Sequence, residues 1–195
     1  MTYQEAYQKA TGELKAAGIP EPESDAWILL EHVTGMTRTR YYVDGFERMP
    51  KNEEDRFFEL VSCRKTRIPV QHLTGVQEFM GYEFAVNEHV LVPRQDTEIL
   101  VEEAEKRLLL MKKENPVKVL DMCTGSGIPI SLKLRNPQIV IEGADISEEA
   151  LKVAEKNAKK LGVSGKWIQT DIFENITGTF DMITSNPPYI PTKVI

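Results

Sequence analysis

The sequence predicts an α/β protein in which an open parallel sheet is preceded by a small helical bundle and a β-hairpin. Three observations carry this. The first third of the chain shows helical start and stop signals throughout. The apolar period shortens to two over residues 76–86. From Val117 onward, short apolar runs alternate with amphipathic helical stretches. With 195 residues, 41% hydrophobic and 28% charged, the composition is that of an ordinary globular protein able to bury a sizeable core.

In chain order, Thr2 and Glu5 have the spacing of a capping box, so a first helix runs from there to the Gly18-Ile19-Pro20 stop. Ser24 is expected to cap a second helix carrying Ala26, Trp27, Leu29, Leu30 and Val33, closed by Gly35. Thr37 starts a short third helix through Tyr41 and Tyr42. Asn52 is expected to cap a fourth with Phe57, Phe58, Leu60 and Val61, ended before Pro69. Residues 1–68 thus read as a helical N-terminal domain with no acid–base pair or metal cluster of its own, suited to recognising a substrate or partner. Residues 76–79 and 82–86 flank Met80-Gly81 as a hairpin, within a linker spanning 69–93.

Residues 94–195 form the remaining domain. Pro93-Arg94-Gln95-Asp96-Thr97 leads into a long helix ending near Asn115-Pro116, with Ile99, Leu100, Ala104, Leu108 and Met111 as its apolar face. Strands are expected at 117–120, 139–144, 166–169 and 180–185. Ser147 caps a helix through Leu161 that turns Ala150, Ala154, Ala158 and Leu161 inward and is ended by Gly162.

Charge narrows the functions. The net charge is −6; residues 1–70 hold 10 basic and 12 acidic side chains, residues 71–115 hold 5 and 9, and residues 116–195 hold 9 and 9. No segment has the basic excess of a polynucleotide-binding surface, and Arg38/Arg40 and Arg64-Lys65/Arg67 read as helix surface. Direct sequence-specific nucleic-acid binding is therefore not expected. No run approaches the ~20 apolar residues of a membrane span, and the start lacks the basic and apolar regions of a secretory signal. Cys63 and Cys123 match no metal-ligand spacing and read as reduced thiols, which points to the cytoplasm and to no metal.

The chemistry lies at the ends of the predicted strands. Asp121-Met122-Cys123-Thr124-Gly125-Ser126-Gly127 follows the first strand and opens a helix, its glycines letting the backbone approach a ligand. Asp145 ends the second strand, 18 residues after Gly127, where a carboxylate can take both hydroxyls of a ribose in a Rossmann-like site. Asp171 ends the third, placed to accept from an adenine amino group, with Ile172 against the ring. The loop lacks the full G-x-G-x-x-G of a dinucleotide site and carries no P-loop lysine, which favours S-adenosylmethionine over NAD or ATP.

Asn186-Pro187-Pro188-Tyr189 follows the fourth strand. The Asn side-chain oxygen and a backbone carbonyl beside it can accept the two hydrogens of a planar NH2 group. Neither proline has an N–H to compete, both fix φ, and Tyr189 can cover the flat face of the acceptor. The pattern is that of a transferase aiming an amide or amine nitrogen at a methyl donor.

These segments together resemble the HemK/PrmC family, the protein-(glutamine-N5) methyltransferases of peptide-chain release factors. The resemblance runs through Ile68-Pro69-Val70-Gln71-His72-Leu73-Thr74-Gly75, Glu78-Phe79-Met80-Gly81, Val90-Leu91-Val92-Pro93-Arg94, Asp96-Thr97-Glu98, the 121–127 loop, Asp145-Ile146-Ser147, Asp171-Ile172-Phe173, and Ser185 to Ile190-Pro191. It implies a class I methyltransferase domain that transfers a methyl group from S-adenosylmethionine to the Gln side-chain nitrogen of a release factor's Gly-Gly-Gln motif. Carried over by position, Cys123, Thr124, Gly125, Ser126, Gly127, Asp145, Asp171, Ile172 and Asn186 would line the cofactor. Asn186, Pro187, Pro188, Tyr189 and Leu91 would meet the glutamine, with Asn186, Pro187 and Tyr189 catalytic.

Cys123 stands where the family usually has glycine, and is expected to fit with negative φ; Pro129 enters the following helix in its first turn. The resemblance also implies further strands beyond Pro191, so the domain is expected to be C-terminally incomplete, with the fourth strand at an open edge. Two other readings are weighed beside this one: methylation of a DNA or RNA base amino group through the same slot, and an inactive fragment whose helical part binds a partner.

Overall fold

The computed structural model describes residues 1–111 and 115–188. The chain divides into two compact units, Met1–Gly75 and Val76–Ile195. The first holds helices α1 (Tyr3–Ala16), α2 (Pro22–Thr34), α3 (Arg38–Asp44), α4 (Lys51–Lys65) and α5 (Val70–Thr74). The capping box is formed: Thr2 Oγ accepts from the Glu5 N–H, and the Glu5 carboxylate accepts from the Thr2 N–H. Two other starts differ from expectation. Pro22 opens α2, so Ser24 lies inside it, and α4 begins at Lys51 directly after Pro50, so Asn52 is helical. In both places a proline's fixed φ starts the turn ahead of the residue that capping preference selects.

Ala6, Ala10 and Leu14 of α1 pack with Leu29 and Leu30 of α2 and with Phe57 and Val61 of α4, all fully buried. An Arg64–Asp25 ion pair, 2.7 Å and largely shielded, joins α4 to α2. Within this unit Arg38 stacks 4.2 Å over the Trp27 ring, Arg40 pairs with Asp44, and Lys65 with Glu13. Val70 of α5 belongs to the same core. The helical unit therefore extends to Gly75, past the expected boundary at 68, and residues 70–74 are helix instead of linker.

The second unit opens with β1 (Val76–Phe79) paired antiparallel to β2 (Tyr82–Ala85). Met80 and Gly81 both take positive φ, 54° and 78°, as the favoured two-residue hairpin turn requires. There follow α6 (Gln95–Leu110), β3 (Lys118–Met122), α7 (Pro129–Arg135), β4 (Val140–Asp145), α8 (Glu148–Lys160), β5 (Lys166–Gln169) and β6 (Met182–Ser185). The sheet order is β5-β4-β3-β6 and every pairing is parallel, as the alternation of strands and helices predicts. Among the described strands β6 is an edge, and its Ile183 is exposed.

The strand boundaries move by one or two residues. β3 runs on to Met122, which puts Asp121 inside the strand, and β6 starts at Met182. Phe180 and Asp181 precede it, with the Asp181 carboxylate accepting from the Lys118 N–H at 2.9 Å. On α6 the buried stripe is Thr97, Val101, Ala104 and Leu108, so Ile99, expected inward, lies 60% exposed. The stripe obeys helical spacing from Thr97, a polar residue that a purely apolar reading passes over. Residues 112–114, near the expected end of this helix, lie outside the described residues.

One core joins Val101 and Ala104 of α6, Ile130 of α7, and Val119 and Ile141 of the sheet. The bidentate Glu105–Arg135 pair ties α6 to α7. On the same face of the sheet, α8 adds Ala158 to this core and carries Asn157, fully buried amid its alanines. Its Oδ1 accepts from the Ala85 N–H at 2.7 Å, while its Nδ2 donates to the carbonyls of Ala85 (2.9 Å) and Ser126 (2.8 Å). One side chain thus holds the end of the hairpin and the loop after β3 to the same helix. Replacing it with an apolar isostere leaves three buried backbone groups unpaired, each costing about 1–3 kcal/mol. Asn157→Leu is expected to destabilise the chain by about 3 kcal/mol in urea denaturation, far more than a surface Asn change.

Candidate active site

Parallel pairing places the carboxyl ends of β3, β4, β5 and β6 at one edge, and Cys123, Asp145, Asp171, Ile172 and Asn186 of the predicted site lie there. β3 and β6 are held in register by more than their ladder. Asp121 lies opposite Thr184, whose hydroxyl donates to Asp121 Oδ1 at 2.6 Å, and the Ser185 hydroxyl donates to the Met122 carbonyl at 3.1 Å. Asp121 is completely buried, and its Oδ2 has no hydrogen-bond partner among the described residues. Burial pushes its carboxyl up to about 6 against the pull of the Thr184 hydroxyl.

The loop after β3 departs from expectation at Cys123, whose φ is +58° instead of negative. Gly125 and Gly127 are also left-handed, at 53° and 96°. A Cβ on Gly127 would stand 2.6 Å from the Ile130 side chain, so glycine is required there for both conformation and space. Pro129 sits in the first turn of α7, as expected. Thr124, Ser126 and Gly127 lie buried beneath the loop and support it. Cys123 and Gly125 are the loop residues that reach the open space above.

That space comprises two cavities. One, of about 390 Å³, is lined by Asp171, Ile172, Phe173, Ala144, Ile183 and Pro187, among others. The other, of about 380 Å³, is lined by Gly125, Leu91, His89, Asn186 and Pro188, among others. Cys123, Asp145 and Ile146 line both. Asp145 already accepts from two backbone amides: Oδ2 from Gly125 and Oδ1 from Ser147, each at 3.0 Å. Each oxygen retains a lone pair, so the carboxylate is oriented before any ligand arrives. Ile172 takes φ +46° and is exposed, its apolar side chain at the wall below Asp171.

Asn186 follows β6 and its Nδ2 donates to the buried Thr97 hydroxyl of α6 at 3.1 Å. Leu91, half exposed, lines the same cavity as Asn186 and Pro188. Tyr189, Ile190 and Pro191 lie outside the described residues. Sequence reasoning assigned no role to Asp121, Thr97, Thr184 or Asn157. Only Thr97 left a signal, as the one polar member of α6's inward stripe. The described residues hold no cluster of His, Cys, Asp and Glu able to bind a metal, and no helix long and apolar enough to cross a membrane.

A sheet of this order, with its crevice above the ends of β3 and β4, is that of the class I methyltransferases. Residues 95–194 match the methyltransferase small domain family, and residues 5–75 the PrmC N-terminal domain. The chain is 38% identical over 193 residues to the release factor glutamine methyltransferase of Deinococcus radiodurans, covering 98% of this chain and 68% of that one. It is equally identical, over 193 residues, to the release factor glutamine methyltransferase of Escherichia coli, covering 97% and 68%. The chain therefore belongs to the release factor glutamine methyltransferase family, and spans about two thirds of the length of these relatives. The fold also matches a T. thermophilus 16S rRNA N2 G1207 methyltransferase, with a TM-score of 0.50 at 20% identity, over 59% of this chain and 32% of that one.

Two outcomes follow from the end of β3 and the loop after it. A left-handed L-residue costs roughly 1–2 kcal/mol, partly offset by glycine's greater unfolded-state entropy. Cys123→Gly should raise stability by about 0.5–1 kcal/mol and Cys123→Val lower it, read as a rank order of urea midpoints. For Asp121 the folded-state value lies above the ordinary 3.8. Its contribution to stability is therefore full below about pH 4 and lost as pH rises through 6. From about pH 4 to pH 8 the parent should lose on the order of 2 kcal/mol relative to Asp121→Asn. Parallel stability–pH curves for the two would refute the shift.

Proposed function

We propose that this chain transfers a methyl group from S-adenosylmethionine to the side-chain amide nitrogen of the glutamine in a release factor's Gly-Gly-Gln motif. The observation that carries the proposal is the placement of Asn186-Pro187-Pro188 beside the same loop and carboxylates that rim the cavities. The residues fit the cofactor. The cavity of about 390 Å³ offers carboxylates at Asp145 and Asp171 for hydroxyl and amino donors and an apolar wall at Ile172, and the adjoining one, which shares Asp145, offers the backbone at Gly125. When bound, S-adenosylmethionine supplies an electrophilic methyl on a sulfonium.

An amide nitrogen is a weak nucleophile, and no His, Lys or Asp lies within Asn186 to Pro188 to act as a base. The chain's contribution is therefore positioning. The Asn186 Oδ1 and the Pro187 carbonyl accept the two hydrogens of the glutamine NH2 and favour positive charge growing on its nitrogen. The prolines hold those acceptors rigid and dry. Leu91 and Pro188 narrow the approach, and Tyr189 is assigned to the open face of the amide. Well-oriented reactants can remove on the order of 7–11 kcal/mol of a barrier, enough to make a base unnecessary.

The names of the relatives, their 38% identity and the absence of a basic excess in any segment of the sequence support a protein substrate over a polynucleotide. The helical unit is assigned to recognising the release factor, in the cytoplasm. Asn186→Ala should lower turnover on a release factor by 100-fold or more, on the order of 3 kcal/mol of barrier, and leave cofactor affinity within a few fold by calorimetry. Equal losses in both would sink the assignment.

A further inference from the structure

A primary amide is nearly symmetric in shape and opposite in chemistry at its two ends. For Asn186 to accept from an incoming NH2, its Oδ1 must face the acceptor and its own NH2 must face elsewhere. With the ends exchanged, two NH2 groups oppose each other and only the Pro187 carbonyl remains to accept. The prolines that follow fix the backbone but do not constrain rotation about the Asn186 Cβ–Cγ bond. Something else must choose between the two orientations.

The structure shows the orientation with the NH2 turned toward helix α6 and Oδ1 away from it. Thr97, the third residue of that helix, is 5% exposed, and its hydroxyl oxygen lies 3.1 Å from Asn186 Nδ2, 89 residues away in the chain. We propose that Thr97 is a positioning residue: by accepting from the Asn186 NH2, it turns Oδ1 toward the substrate amide. The inference rests on the proposed methyl transfer for its catalytic consequence, while the contact itself is a property of the fold.

Two neighbouring observations make the position firm. Thr97 cannot drift, because α6 is pinned by the Glu105–Arg135 pair at one end and buries Val101 and Ala104 one and two turns on. The next residue, Glu98, accepts from the Met80 N–H at 2.7 Å and so holds the left-handed residue of the hairpin turn. Consecutive helical residues point about 100° apart. The pair Thr97-Glu98 therefore serves two partners from one turn, the slot and the hairpin. Thr97 and Glu98 of the Asp96-Thr97-Glu98 segment thus each have a physical partner.

The test combines kinetics with a readout that needs no turnover. Thr97→Val keeps the volume and removes the acceptor; Thr97→Ser keeps the hydroxyl. Loss of one neutral hydrogen bond predicts a kcat on release factor about tenfold lower in Thr97→Val, cofactor Kd within twofold of the parent, and recovery in Thr97→Ser. In parallel, the Asn186 side-chain amide protons are assigned by their disappearance in Asn186→Asp. They should exchange slowly in the parent and in Thr97→Ser, and at least tenfold faster in Thr97→Val. Unchanged Asn186 amide exchange and unchanged kcat in a folded Thr97→Val would overturn the proposal. If the parent itself transfers no methyl group to a release factor, the proposed function is what fails, and the amide exchange rates still decide the contact with Thr97.

Discussion

Parallel pairing of β3 with β6 is the constraint on which the site depends. It brings two segments about sixty residues apart to finish at the same edge, so the loop after β3 and the Asn-Pro-Pro turn after β6 open onto shared space. Backbone ladders alone fix such a register only loosely. Here the Thr184–Asp121 and Ser185–Met122 hydrogen bonds, with Asp181 on the Lys118 amide, add side-chain contacts along the pairing. A slip by one residue would turn Thr184 away from Asp121 and carry the slot to the other face of the sheet.

That register also explains why a carboxylate is tolerated in the sheet's interior. Asp121 spends solvation to stand where it does, and Thr184 returns part of it through a hydrogen bond. A leucine there would be cheaper for the fold but would contribute nothing polar beneath the loop. Local conflicts of this kind, together with the left-handed Cys123 and Ile172, concentrate at the carboxyl edge, where function and not packing sets the residue.

Most of the fold was legible because it is periodic. The alternation of strand and helix from Val117, the Met80-Gly81 turn and the Ser147 cap are written in local chemistry that short spacings reveal. Boundaries were less legible, since prolines at 22 and 50 start helices where no capping side chain is needed. The inward face of α6 was misplaced at Ile99 because the true stripe includes Thr97, and a polar residue on a buried stripe looks like an interruption until its partner is known. The site's outline could be read from residues at strand ends. Its supports could not: Asn157 sits in a lysine-rich helix and looks solvent-facing, yet its partners lie 72 and 31 residues away. No pattern within one segment encodes a contact of that range.

The amide of Asn157 has a dynamic consequence as well. Because one side chain serves both Ala85 and Ser126, the hairpin's last strand and the loop at the cofactor crevice cannot part from α8 one at a time without losing a shared anchor. Local opening in this region is therefore coupled, through one side chain, across elements far apart in sequence. In native-state hydrogen exchange the Ala85 amide, at the very end of a two-stranded ribbon where fraying is the rule, will be protected like a residue of the central sheet.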